Sequence, residues 1–366
     1  MEPYSAASQT VQAAPRSGYD YVGSQIAALI ARFDLNESRA QIMQTYADLC
    51  RDSLAFPYGV RPPNYSRINH DGTPIQYAVT LGSSVHTLQF LGEAGSFGIT
   101  GAERMRLNRE CIAIVAGRLH VDKALVSVAD LLEALAPATN VDLLADPGGA
   151  YWIGAAFSAA REPHLRIYVN TRWGNERARW TRLSRFAGHF GESAPWAEVA
   201  GRLALDMQPL GTAITLQGDQ SPVGRIYLSA YGKHMPFYED LAEAYGGPGF
   251  MRQLRSFGRC LLGADYVYPT QTAVCSFGFG DNPTLDFKFE LCAHCLFRSD
   301  AEAVARLRTW FDAAQLDATD YWAMLDILSE GHLCTTAPVL HCYVGMGLRR
   351  GAPYATLYLK PQLMPA

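Results

Sequence analysis

The sequence predicts an α+β fold: a closed, ten-stranded antiparallel β-barrel built from five repeated ααββ units, with the helices outside. Three observations carry this. Strand-like stretches come in adjacent pairs. Two helical patterns precede each pair, so the order helix, helix, strand, strand recurs five times with a period of roughly 60 to 75 residues. Four of the strands also set cations and tyrosines on one face against a wholly apolar face.

The chain of 366 residues opens with an Ala-, Ser-, Gln- and Pro-rich stretch, so residues 1–17 are expected to be a flexible tail and residues 18–366 a single domain. From Tyr21 to Phe33, Val22, Ile26, Ile30 and Phe33 recur at helical spacing. Asn36-Glu37-Ser38 leads into a second helix that ends near Cys50. Alternation over Thr73–Thr80, a Gly82-Ser83-Ser84 turn and Val85–Leu91 make the first hairpin. Helices near Ala102–Leu119 and Val128–Leu135 precede strands near Ala150–Phe157 and Leu165–Asn170. Helices near Asn175–Phe190 and Trp196–Leu203 precede strands near Gly211–Gln217 and Gly224–Tyr231. Helices near Phe237–Tyr245 and Gly249–Leu262 precede strands near Thr270–Phe277 and Asp286–Cys292. Helices near Asp300–Ala313 and Ala318–Glu330 precede the last strands, near Pro338–Met346 and Tyr354–Lys360.

Paired strands argue for antiparallel hairpins, since parallel winding would alternate single strands with helices. Ten strands that close leave a lumen wider than a small barrel's packed core. The helices must cover the apolar faces. The opposite faces, bearing Arg166, Tyr168, Arg225, Tyr227, Lys288, Tyr354 and Tyr358, then point into the lumen. On the first strand Gln76, Ala78 and Thr80 share that side.

Composition narrows the function. A formal charge of −4 provides no basic footprint for nucleic acid. No apolar run is long enough to span a bilayer, and the first residues lack the pattern of a secretory signal. Eight scattered cysteines point to free thiols in a reduced, cytoplasmic compartment. Cys292-x-x-Cys295 stands without a second pair at zinc-site spacing and reads as two ordinary strand-end cysteines. No Gly-x-Ser-x-Gly elbow or phosphate-binding Gly-x-x-x-x-Gly-Lys loop is present.

Cations converging in a partly enclosed lumen repel one another unless a polyanion visits. Arg166, Arg225, Lys288 and Arg349 suit a diphosphate, whose oxygens accept charge-assisted hydrogen bonds. Asp286 and Glu290 flank Lys288 and could instead neutralise it as a salt bridge. Tyrosine rings attract cations and their hydroxyls can bond phosphate. Around an allylic diphosphate they would stabilise the carbocation formed as diphosphate departs, and keep water from it.

Four segments resemble the dimethylallyltryptophan-synthase type of aromatic prenyltransferase: Gly72–Val79; the pair Arg166-x-Tyr168 and Arg225-x-Tyr227; Pro283–Phe289 with Phe297-Arg298-Ser299-Asp300; and Gly351–Tyr358 with Lys360-Pro361. The resemblance runs from about Tyr21 onward and implies a barrel of this ten-stranded kind, called the PT barrel or ABBA fold. It implies transfer of a dimethylallyl or longer prenyl group from its diphosphate to an electron-rich aromatic. No cofactor or metal is implied, which fits the lack of an Asp-Asp-x-x-Asp run. By resemblance Arg166, Arg225, Lys288 and Arg349 hold the diphosphate, and Tyr168, Tyr227, Tyr343, Tyr354 and Tyr358 shield the prenyl cation. The partners implied are a prenyl diphosphate and a small aromatic acceptor, with neither nucleic acid nor membrane.

The chain departs from the family pattern at four positions. Gln76 stands where tryptophan-prenylating members have a Glu; it can accept an indole N–H but cannot act as a base. Gln89 and Val223 replace cations, and Glu290 replaces a Tyr. The expected acceptor is therefore an indole derivative, carbazole, other fused aromatic or phenol rather than free tryptophan. His341, beside Tyr343, is a candidate for meeting the acceptor and taking its proton, against a packed structural role. Two other functions fit the same barrel: cyclisation or hydrolysis of a prenyl diphosphate, and ligand binding without chemistry.

Overall fold

A computed structural model of the chain describes residues 16–60, 66–82, 85–137, 149–230, 232–263, 273–279, 285–349 and 352–363. Helices α1 (Gly18–Arg32) and α2 (Arg39–Cys50) precede β1 (Ile75–Leu81) and β2 (Leu88–Gly92). Helices α3 (Gly101–Arg118), α4 (Asp122–Ser127) and α5 (Ala129–Leu135) precede β3 (Tyr151–Ser158) and β4 (Arg161–Asn170). Then come α6 (Glu176–His189), α7 (Ser193–Leu203), β5 (Gln208–Gln217) and β6 (Val223–Ala230). Helix α8 (Met235–Leu262) leads to β7 (Ala273–Phe279) and β8 (Asp286–Cys292). Helices α9 (Ala293–Leu296), α10 (Asp300–Ala314) and α11 (Thr319–Ser329) lead to β9 (His341–Arg349) and β10 (Ala352–Leu359).

Every strand pairs antiparallel with its sequence neighbours, and β1 pairs with β10, so the ladder closes. The expected repeat holds, with short α4 and α9 added. The two helices expected over 237–262 are the halves of α8. Gly247 sits at φ 76°, a conformation glycine adopts cheaply, and Pro248 follows, so the helical ladder breaks there. Strand β2 starts at Leu88 rather than Val85, and β4 starts four residues before Leu165, at Arg161. Ser83, Ser84, Thr270, Pro283, Thr284 and Gly351, which belonged to expected turns, strands or motifs, lie outside the described residues. So do residues 1–15 of the expected tail; its last residue, Ser17, caps α1 by accepting from the Asp20 backbone N–H.

The apolar strand faces meet the helices. Ile167, Ile214, Ile226, Phe277, Phe287 and Leu357 are fully buried. Trp196 of α7 and Tyr245 of α8 both set their rings edge-on to Phe277. This outer layer is where the apolar core sits, so the lumen is free to be polar.

One buried polar cluster ties the start of β9 to the helices. Asp300, at the first residue of α10, accepts from the backbone N–H of Val339 (2.9 Å), Leu340 (3.2 Å) and His341 (3.3 Å), and its Oδ1 lies 2.7 Å from His341 Nδ1. His341 Nε2 lies 2.8 Å from the Tyr321 hydroxyl on α11. Asp300 and His341 are both fully buried. Removing the carboxylate strands several donors without partners, so Asp300→Ala is expected to lower unfolding free energy by roughly 3–5 kcal/mol, read by chemical denaturation.

Candidate active site in the barrel lumen

Strand parity sets the lumen lining. Cross-strand pairs Arg166–Thr215, Arg225–Gly278, Lys288–Gly347 and Tyr358–Tyr343 each join residues of the inner face. Two of these partners are glycine, and the reason is space. A Cβ on Gly278 would lie 2.8 Å from Arg225 Nη2, and one on Gly347 would lie 2.9 Å from the Tyr354 ring. Bare backbone opposite long side chains lets them lie across the lumen.

The lining changes along the barrel axis. At the mouth lies a cavity of about 860 Å³ walled by Arg161, His164, Arg166, Arg225, Arg349 and Tyr354, with Asp286 and Glu162 also on its wall. Arg166 donates from Nε to Thr215 Oγ1 (3.0 Å), and Arg225 donates to Ser276 Oγ (3.0 Å). Each guanidinium is thereby oriented by a neutral hydroxyl. The Arg349 guanidinium lies 4.8 Å from the centre of the Tyr354 ring. Burial pushes the Tyr354 hydroxyl up, but Arg225, Lys288 and Arg349 outweigh it and hold it below the ordinary phenol value.

Deeper in, the tyrosines form a belt. The Tyr168 and Tyr227 rings lie 6.1 Å apart, and Tyr343 meets Tyr358 edge-to-face, also at 6.1 Å. Burial raises the hydroxyls of Tyr227, Tyr343 and Tyr358, so all three are protonated donors near neutral pH. Lys288 Nζ sits in this belt, 4.8 Å from the Tyr358 ring centre and 2.7 Å from its hydroxyl. It is also 2.6 Å from Glu290 Oε1, and both side chains are buried. The salt bridge anticipated as an alternative therefore exists. Lys288 is a neutralised cation below the arginine mouth, while Arg166, Arg225 and Arg349 line the cavity itself.

At the far end three neutral side chains, Asn69, Gln76 and Cys342, bond to one another. Asn69 donates from Nδ2 to the carbonyls of Thr73 and Ile75, each at 2.8 Å, which fixes its amide orientation. Its Oδ1 must then accept, and it takes the Gln76 Nε2 donor at 2.9 Å and the Cys342 thiol at 3.0 Å. Gln76 is locked in turn with its nitrogen on Asn69, so its Oε1 is the atom left to offer. Gln89 stands above this floor, its Cα partners being Ala78 and Ala156, the second of which lines the mouth cavity. Lys360 anchors the segment crossing this end by a 2.6 Å bond to Asp71.

His341, expected to meet the acceptor, does not reach it. Alternation from Tyr343 would point it inward, but the register between β9 and β10 shifts between Tyr358 and Leu359. The ring turns outward onto Asp300 and Tyr321, where both its nitrogens are engaged. It packs with the helices and does not meet the lumen. Two further residues, Arg161 and His164, reach the mouth because β4 begins at Arg161, ahead of the alternating stretch from Leu165. Carrying the Arg166 parity back two residues finds His164. Its Nε2 is buried without a partner among the described residues. Burial, then Arg166, Arg349 and Arg161, hold its imidazole down at about 3, so it is neutral near pH 7. Among the described residues, the one group of three His, Cys, Asp or Glu side chains with converging ligand atoms lies elsewhere, at Cys292, His294 and Cys295.

No family model matches the chain, and no curated protein sequence matches it. Solved structures do. A 6-dimethylallyl tryptophan synthase superposes with a TM-score of 0.82 at 19% identity, covering 96% of this chain and 98% of the other. The 5-dimethylallyltryptophan synthase from Streptomyces coelicolor gives a TM-score of 0.79 at 18% identity, covering 96% and 99%. The 6-dimethylallyltryptophan synthase from Micromonospora olivasterospora, in complex with DMASPP and Trp, gives 0.81 at 17%, covering 96% and 100%. The chain thus has the fold of the dimethylallyltryptophan synthases over nearly its whole length.

The mouth makes a pH prediction. A phenol held below its ordinary value of 10.0 ionises earlier as pH rises, and the Tyr354 phenolate would then compete for Arg225 and Arg349. In a tyrosine-absorbance titration of the wild type one phenol is expected to ionise below the ordinary value of 10.0, and Tyr354→Phe should lose that ionisation.

Proposed function

We propose that the protein is an aromatic prenyltransferase, carrying a dimethylallyl or longer prenyl group from its diphosphate to an electron-rich aromatic. The observation that carries this reading is the axial order of the lumen: arginines at the mouth, tyrosines in the middle, a neutral hydrogen-bonding floor. That order matches the three parts of such a reaction. It is supported by neighbours of the same fold, one of them held in complex with DMASPP and Trp.

In this reading Arg166, Arg225 and Arg349 bind the diphosphate, helped by neutral His164 as a hydrogen-bonding group. Lys288 acts with Tyr358 one layer below. The allylic C–O bond breaks heterolytically and the diphosphate keeps the electron pair, its charge stabilised by preorganised guanidiniums. Tyr168, Tyr227, Tyr343, Tyr354 and Tyr358 face the allyl cation and exclude water. The acceptor ring supplies a π pair to form the new bond, and holding both partners in place provides much of the rate. Gln76 Oε1 accepts an N–H or O–H of the acceptor. Rearomatisation releases a ring proton that Gln76 cannot take. Glu290, a carboxylate among Tyr227, Tyr343, Tyr354 and Tyr358, is the group we assign to receive it.

The acceptor is an indole derivative, carbazole, other fused aromatic or phenol. Gln76 and Asn69 offer the acceptor neutral amides, and the charges nearest this floor, Lys360 and Asp71, are already paired with each other, which supports a neutral ring over an ionised amino acid. No described helix is long and apolar enough to cross a membrane. We place the reaction in the cytoplasm, where the eight free cysteines would stay reduced.

The test is diphosphate release from dimethylallyl diphosphate with EDTA present, against a panel of such acceptors, with products followed by mass. An adduct gaining one prenyl unit is expected. Prenyl alcohol or cyclised product alone would favour hydrolysis or cyclisation, and no release with any donor length would leave a ligand-binding barrel. Arg225→Ala should weaken donor binding by roughly 1.5–3 kcal/mol. Glu290→Gln should cut adduct formation by about 10²-fold while diphosphate release persists. Parallel loss of both would remove Glu290 from the proton-transfer step.

A further inference from the structure

Beyond the lumen chemistry, we propose that Cys292, His294 and Cys295 form a binding site for a thiophilic divalent cation, Zn²⁺ being the type case. The three follow one another at the end of β8 and through α9, as Cys-Ala-His-Cys. One ligand atom from each side chain lies within 4.8 Å of the other two. His294 Nδ1 is 2.8 Å from Cys292 Sγ, and its Nε2 is 3.7 Å away.

A tetrahedral zinc ion holds sulfur at about 2.3 Å and nitrogen at about 2.0–2.1 Å, which sets its ligand atoms about 3.5–3.8 Å apart. The observed spacings bracket that range, so each atom need move by only about an ångström or less. Two thiolates and an imidazole are the soft donor set that favours zinc over magnesium or calcium. The cluster also has a wall, an orienting neighbour and an entry path. Cys292 is buried beneath the site, and the His70 ring stacks on His294 with centroids 3.9 Å apart, fixing the imidazole plane. Cys295 is exposed, so an ion can reach the site from solvent and keep a water as fourth ligand.

The position gives the site a consequence. Cys292 is the cross-strand partner of Tyr343, a member of the tyrosine belt. An ion that draws Cys292 toward it acts on the strand pair that carries Tyr343. The site is thus placed to report on, or restrain, the far end of the lumen without entering it. Two cysteines alone make a weak site; the histidine between them completes a three-ligand face.

The test uses the full chain, reduced and stripped with chelator, and needs no enzymatic activity. Zn²⁺ titrated by calorimetry is expected to bind at one site per chain. Cys295→Ser and His294→Ala should each weaken that binding at least tenfold, with the apo-proteins melting at the wild-type temperature. Cobalt substituted at the site should give thiolate-to-metal charge-transfer absorption in the wild type, lost in Cys295→Ser. Three outcomes overturn the proposal: no stoichiometric zinc, zinc affinity unchanged in both variants, or a cobalt spectrum without the thiolate band. A reduced protein that takes up no metal but forms a Cys292–Cys295 disulfide in air would identify a redox pair instead.

Discussion

Everything in this molecule depends on the two-residue period of strands whose ladder has no edge. A closed ladder forces each side chain either inward or outward, with no solvent-facing third side. The outward set is apolar and must be covered, which is what the helices do. The inward set is relieved of any part in the core and can therefore carry arginine, lysine, glutamate and tyrosine. The polar lumen and the aromatic outer layer around Phe277 are two results of one alternation.

Charge is graded along the barrel axis rather than spread around it. The mouth concentrates guanidiniums; Arg166 and Arg225 are each steered by a neutral hydroxyl, and Arg349 by the Tyr354 ring. The middle contains a cation, but Lys288 is cancelled by Glu290 within 2.6 Å. The floor holds amides and a thiol in one bonded chain, Gln76 to Asn69 to Cys342. A ligand with an anionic head and an apolar tail can lie in only one sense along such a gradient. The orientation of the donor in our functional reading follows from this before any particular contact is considered.

Much of this was legible in the sequence because it is local. Arg166 with Tyr168, Arg225 with Tyr227, and Tyr354 with Tyr358 reveal their shared face by spacing alone, and the repeat of paired elements exposes the barrel. What escaped was set by distant partners. His341 obeys the alternation in sequence, yet a register shift opposite Tyr358 turns it out onto Asp300. Lys288 and Glu290 are two residues apart, so a salt bridge was foreseeable, but only the fold decides between that pairing and a free ammonium. The orientation of the Gln76 amide rests on Asn69, seven residues away in a segment with no periodic signal. His164 lies in the part of β4 that precedes the alternation, where Pro163 and the charged Arg161 and Glu162 give no strand pattern.

The seam between β1 and β10 joins Tyr77 to Leu359 and Leu81 to Ala355. During synthesis, the first strand emerges long before its final neighbour exists. Until the last strand arrives, β1 presents a row of unpaired amides and carbonyls, and its lumen face is open to water. This closure joins strands separated by about three quarters of the chain, a long-range contact of the slow kind to form. The enclosed cavity therefore depends on one seam: without the β1–β10 pairing the same ten strands are an open sheet with two edges.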